Sequence, residues 1–68
     1  MVVNYFGVNL RRIRREKGIS ENDLAQMLAI SKSIISRWEN GKVYPQVIWV
    51  YQIADKLNVN PTELIKVT

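Results

Sequence analysis

Three observations predict an all-α fold of five short helices for this chain of 68 residues. Apolar residues recur at three- and four-residue spacings and do not alternate over a strand-length run, so the helical period fits. Helix punctuation is dense: Ser20, Ser31 and Asn60 stand where N-caps belong, and Gly18, Gly41 and Asn58 stand where a left-handed residue stops a helix. The intervals between those marks suit helices of about two to four turns, which a chain of this length packs as one small domain.

The first helix is read over 4–17. Phe6, Leu10 and Ile13 make its apolar stripe, and at about 100° per residue Arg11 and Arg15 point away while Arg14 lies at the margin. Gly7 weakens the first turn and argues for a later start. Arg11, Arg12 and Arg15 are either a solvated helix face or phosphate contacts. The second helix, 21–28, opens with Ser20 and Asp23 in a capping arrangement and offers Leu24, Ala25, Met27 and Leu28 to the core. Ala29, Ile30 and Ser31 form a tight turn into the third helix, 32–40. Two helices joined this closely suggest a helix-turn-helix.

On the third helix, Ile34, Ile35 and Trp38 share one arc, with Lys32, Ser33, Ser36, Arg37 and Asn40 on the other and Glu39 at the border. The i, i+3 pairing of Ile35 with Trp38 places that indole in the core. Pro45 leads into a fourth helix, 46–57, with Val47, Val50, Ile53, Ala54 and Leu57 buried and Tyr51 at one edge. A last short helix over 61–66 begins at Asn60-Pro61-Thr62-Glu63, and Leu64, Ile65 and Val67 are expected to close the core.

Composition narrows the chemistry. Hydrophobic residues make up 47% of the chain, enough for one modest core, although domains this short are marginal and often lean on a partner. The absence of cysteine and histidine removes disulfides and argues strongly against a zinc site. It also leaves no imidazole base and no thiol nucleophile, and no Gly-rich phosphate loop occurs, so no catalysis, metal, cofactor or small-molecule ligand is expected. The N-terminal MVVNYFGVNL has no basic n-region and is not read as a signal peptide. No apolar run approaches membrane-spanning length, and a cysteine-free chain suits the cytoplasm.

The formal charge is +4 and the pI about 9.8, which favours a polyanionic partner. The cations are not spread evenly. Half of the Lys and Arg residues lie between Arg11 and Lys17, and Lys32, Arg37 and Lys42 follow, so the basic character belongs to the first two-thirds of the chain.

From about Leu10 to Ile65 the sequence resembles the XRE-type, or Cro/phage-repressor-like, helix-turn-helix proteins. The resemblance rests on L-x-x-I-R-x-x-x-G-I-S from Leu10, D-L-A-x-x-L-x-I-S from Asp23, I-S-R-W-E-N-G-K from Ile35, then Pro45 and A-x-x-L-x-V from Ala54. It implies a compact five-helix domain of the phage-repressor DNA-binding type with a central helix-turn-helix. It further implies a sequence-specific transcriptional regulator of double-stranded DNA, a repressor binding an inverted-repeat operator as a homodimer, with the third helix in the major groove. The residues matching the family's base-reading positions are Lys32, Ser33, Ser36 and Arg37. Asn40, Lys42 and the backbone up to Tyr44 fall at phosphate-holding positions, as does the N-terminus of the second helix. Tyr44 either gives its hydroxyl to a phosphate or packs on Pro45. Arg14 and Glu39 match a structural ion pair that locks the first helix to the third.

Three positions depart from the family pattern. Glu21 stands where a phosphate-binding glutamine is frequent, and its charge repels DNA. Ala29 replaces the usual turn glycine. Ile34 is usually polar in the family and here either meets a thymine methyl or extends the core. For the dimer, Ile48 and Trp49 lie off the buried stripe and, with Val59, are the interface candidates, while the alternative for Trp49 is to fold back on the core. The competing function is a protein-interaction module or antitoxin component that keeps the helix-turn-helix as scaffold.

Overall fold

The computed structural model describes residues 5–68. Five helices follow one another: α1 (Phe6–Glu16), α2 (Glu21–Leu28), α3 (Lys32–Glu39), α4 (Val47–Leu57) and α5 (Thr62–Ile65), with no strand among the described residues. Asn4, the expected first residue of α1, lies outside them. α3 packs between α1 and α2, α4 lies against α2, and α5 returns to α1.

The first four helices end in the same way. Gly18, Ala29, Gly41 and Asn58 all take positive φ. The amide beyond each reaches back to the last turn: Ile19 to Arg14 at 3.0 Å, Ile30 to Ala25 at 3.0 Å, Lys42 to Arg37 at 2.9 Å and Val59 to Ala54 at 3.0 Å. These are Schellman closures, in which orphan carbonyls gain donors and the chain reverses within a few residues. Ala29 keeps the left-handed geometry (φ 57, ψ 41) despite its Cβ, at a cost of about 1–2 kcal/mol.

Helix starts are less uniform. Ser20 and Asp23 form a full capping box, with Asp23 N donating to Ser20 Oγ at 2.9 Å and Ser20 N to Asp23 Oδ2 at 3.2 Å. Asn60 Oδ1 accepts from Thr62 N at 3.0 Å. Ser31 corrects the expectation of a side-chain cap. It has the extended backbone of an N-cap, but its hydroxyl pairs with that of Ser33 at 2.9 Å instead of an α3 amide.

Phe6, Leu10, Ile13, Leu24, Ala25, Leu28, Ile35, Trp38, Val50, Ile53, Ala54, Leu57 and Leu64 form one buried cluster. Phe6 meets Trp38 edge-on, their ring centroids 6.1 Å apart, a favoured aromatic geometry. Four residues expected inside are outside: Met27, Ile65, Val47 and Val67, the last two 69% and 74% exposed. Five short helices leave nothing to cover the far side of α2, the first turn of α4 or the chain beyond Leu64.

Two residues set how α1 sits. A Cβ on Gly7 would overlap the carbonyl oxygen of Trp38 and stand 2.9 Å from that of Glu39. Gly7 therefore does not delay α1, which starts at Phe6; it lets α1 approach the end of α3 backbone to backbone. Asn9, fully buried, donates its amide to the carbonyls of Leu64 at 3.1 Å and Lys66 at 2.9 Å. That bond pair supplies the donors which the C-terminus of α5 lacks.

Candidate nucleic-acid interface

α3 is divided sharply between two faces. Ile35, Trp38 and Glu39 are buried and Ile34 packs half-buried against the core. Lys32, Ser33 and Arg37 are exposed on the other face, with Ser36 half-buried beside them. The N-terminus of this helix is poorly made for stability. No side chain caps it, no acid occupies its first turn, and Lys32 puts a cation at the positive end of the helix dipole. Free amides and an adjacent ammonium are unfavourable in isolation and complementary to an anion.

Beneath that face lies an ion-pair lock. The Glu39 side chain has no exposure, and Arg14, 9% exposed at its side chain, meets it with two nitrogens: Nε to Oε2 at 2.7 Å and Nη2 to Oε1 at 3.0 Å. Arg14 Nη1 donates to the Ile19 carbonyl at 2.9 Å. Arg11, 38% exposed, completes the set with Nε to Glu39 Oε1 at 3.2 Å and Nη2 to Asn40 Oδ1 at 2.9 Å. Arg11 and Arg14 stand at i, i+3 on α1, so both reach one carboxylate. Burial alone would raise the Glu39 carboxyl pKa, but the hydrogen bonds from Arg14 and then Arg11 reverse this and hold it below its ordinary value. The hydrogen bond to Glu39 likewise raises Arg14 above its ordinary value, against the opposing effect of burial.

The remaining basic residues of α1 divide. Arg12 pairs along the helix with Glu16 at 3.5 Å and touches Asn9 Oδ1 at 3.3 Å. Arg15 is exposed, and among the described residues its side chain has no ion pair. A cleft between α1 and the starts of α2 and α3 is lined by Arg11, Arg15, Ser20, Glu21, Asn22 and Lys32. Glu21 sits half-buried there, and its charge acts on Arg14 as a second anion.

Beyond α3, Asn40 and Lys42 are exposed. Tyr44 is more than half exposed, its ring tilted against Phe6 with centroids 6.0 Å apart. Of the three residues expected between copies of the chain, Ile48 is exposed. Trp49 is half-buried with its ring 5.8 Å from that of Trp38, and Val59 is half-buried against the core.

This arrangement of helices recurs in known proteins. The helix-turn-helix family model (HTH_3) matches residues 10–64. The chain belongs to the helix-turn-helix family, XRE type. The HTH-type transcriptional regulator y4dJ of Sinorhizobium fredii is 36% identical over 62 residues, which cover 91% of this chain and 80% of that protein. Among solved structures, the restriction-modification controller protein C.AhdI from Aeromonas hydrophila superposes with a TM-score of 0.84 at 30% identity, covering 90% of this chain and 92% of that one. The P22 c2 repressor, solved with a synthetic operator, gives a TM-score of 0.82 at 25% identity over 94% of this chain and 97% of that one. The fold is therefore the DNA-binding fold of helix-turn-helix transcriptional regulators. Within this family α2, the turn at Ala29 and α3 are the motif.

Arg11, Gly7 and Asn9 were not singled out as structural residues by sequence reasoning. The i, i+3 spacing from Arg14 is the signal that could have found Arg11. For Gly7 and Asn9 no local signal exists, because their partners lie on α3 and at the end of α5.

Proposed function

We propose that the protein is a homodimeric, sequence-specific regulator that represses transcription by occupying an inverted-repeat operator in the cytoplasm, α3 lying in the major groove. The observation that carries this reading is the division of α3: a face of Lys32, Ser33, Ser36 and Arg37 open to solvent, backed by a buried lock that fixes its orientation. Lys32 and Arg37 donate to guanine O6 and N7, and the short serines read what lies nearest them. Asn40, Lys42 and Tyr44 follow the phosphates, helped by Arg15 and the amides opening α2. Glu21, turned toward Arg14, is assigned no phosphate.

The dimer uses the exposed apolar surface at the start of α4. Val47, Ile48, Tyr51 and Ile65 are all about half or more exposed, whereas Trp49 and Val59 are engaged by their own core. Such a cluster on so small a domain favours association. Val47→Ser with Ile48→Ser should lower the association constant in sedimentation while leaving the melting temperature nearly unchanged. An unchanged association constant removes this surface from the dimer.

Selection from random double-stranded DNA at stated salt tests the whole reading. Enrichment of two half-sites about one helical turn apart supports it, as does affinity that falls steeply with salt, about 0.9 in log–log slope per phosphate contacted. No enrichment at low salt overturns it in favour of a protein partner.

A further inference from the structure

We propose that Arg11 is a positioning residue that sets the hydrogen-bonding polarity of Ser36, and with it which base edge Ser36 accepts as a partner. The inference rests on α3 being the base-reading helix. It starts from the donor inventory. A guanidinium has five N–H donors and no acceptor, so the Asn40 atom 2.9 Å from Arg11 Nη2 is necessarily the amide oxygen. That fixes the flip of the Asn40 amide and turns its nitrogen toward Ser36 Oγ, 3.3 Å away. Ser36 must then accept. A serine hydroxyl has one proton, and that of Ser36 has no acceptor among the described residues.

The proton is therefore left for whatever lies against α3. In the major groove a hydroxyl confined to donating pairs with guanine O6 or N7, adenine N7 or thymine O4, and not with the amino groups of adenine or cytosine. Without Arg11, the Asn40 amide is free to turn over, and Ser36 donates or accepts as the site demands. Serine is ordinarily an ambivalent reader; the chain Arg11–Asn40–Ser36 removes the ambivalence. Arg11 itself is held for this by its second bond, to the buried Glu39 at 3.2 Å.

Four proteins tested by selection from random duplexes separate the possibilities: wild type, Ser36→Ala, Arg11→Met and Asn40→Asp. Ser36→Ala marks the base pair that Ser36 reads by flattening preference there. Arg11→Met should flatten the same position, by roughly three- to tenfold in relative affinity, the weight of one hydrogen bond, while other positions keep their order. Asn40→Asp keeps an oxygen for Arg11 but presents Ser36 with an acceptor in place of the amide. It should shift that position toward cytosine or adenine amino groups, even as its added charge weakens all binding. Circular dichroism melts confirm that each variant is folded, and Asn40→Asp, which retains the Arg11 contact, provides the test if Arg11→Met is unfolded.

The proposal is overturned if Ser36→Ala marks no position. It is also overturned if the folded variants weaken every sequence equally with the marked position unchanged, which would make Arg11 a phosphate or framework residue. A wild-type protein that selects no DNA overturns this inference together with the proposed function, whereas selective wild-type binding with unaltered variant preferences overturns the inference alone.

Discussion

Replacing Glu39 by alanine should unfold much of the population before it touches DNA chemistry. The Glu39 side chain is wholly buried and accepts three hydrogen bonds, at 2.7, 3.0 and 3.2 Å, from Arg14 and Arg11. Arg11 is partly exposed and can turn to water. Arg14 cannot, and would keep only its bond to the Ile19 carbonyl at 2.9 Å, leaving a buried guanidinium with no hydrogen-bonded counter-charge and only the charge of Glu21 acting on it. Breaking a buried pair on one side costs about 3–5 kcal/mol. A domain of this size has only about 3–10 kcal/mol in total, at roughly 0.05–0.15 kcal/mol per residue. At about 4–8 °C per kcal/mol for small domains, the melting temperature of Glu39→Ala should fall by at least about 12 °C. Thermal melts followed by circular dichroism, with DNA binding measured well below each midpoint, provide the assay. A Glu39→Ala protein that melts like wild type yet no longer binds DNA would refute the lock and place Glu39 at the DNA. A companion variant with both Arg14→Met and Glu39→Met should be more stable than either single replacement, since the stranded charge is gone.

Acid should weaken the same lock. Glu39 has a carboxyl pKa lowered by folding from an ordinary 4.5, so the unfolded chain binds the proton more readily. Its stabilisation is complete above that ordinary value and is lost as pH falls through the folded value. The urea midpoints of wild type and Glu39→Gln should therefore lie far apart at neutral pH and converge in acid; a constant gap refutes the linkage. Ala29→Gly should stabilise by about 1 kcal/mol, the left-handed strain relieved less the entropy of glycine, and a neutral or destabilising result means the turn is not left-handed in solution. Gly7→Ala sets two effects against each other: helix propensity favours alanine by about 1 kcal/mol, whereas overlap with the Trp38 carbonyl forces α1 away from α3 at a cost of about 1–3 kcal/mol or more. A lowered melting temperature is expected, and a raised one would show that the two helices are not in backbone contact.

The helices were legible because their signals are local. Ser20 with Asp23, Asn60 before Pro61, and the stops at Gly18, Gly41 and Asn58 act within one turn of chain, and each was readable from neighbours in sequence. The polar arc of α3 was legible for the same reason, through periodicity alone. Burial was harder. Val47 and Met27 satisfy the apolar period, but whether a periodic residue is covered depends on which element crosses it. Trp49 lay off the stripe and still found Trp38, because an indole is long enough to fold around the edge of its helix. Arg11 looked like any exposed helix arginine; only the depth of Glu39 shows that two guanidinium groups share it.

The Asn9 amide, bonded to the carbonyls of Leu64 and Lys66, bears on the order in which the molecule can assemble. These partners are separated by 55 and 57 residues, so closing them ties up almost all of the chain between. α1 carries the arginines that orient α3, yet α1 is itself seated by residues 55 and 57 positions further along the chain. A nascent chain stopped short of Leu64 has its helix-turn-helix residues already made, but leaves Asn9 beside a bare apolar surface with no carbonyl to meet. The seating of α1, and with it the orientation of α3, should therefore be set only once the α5 segment has been made and has docked on Asn9.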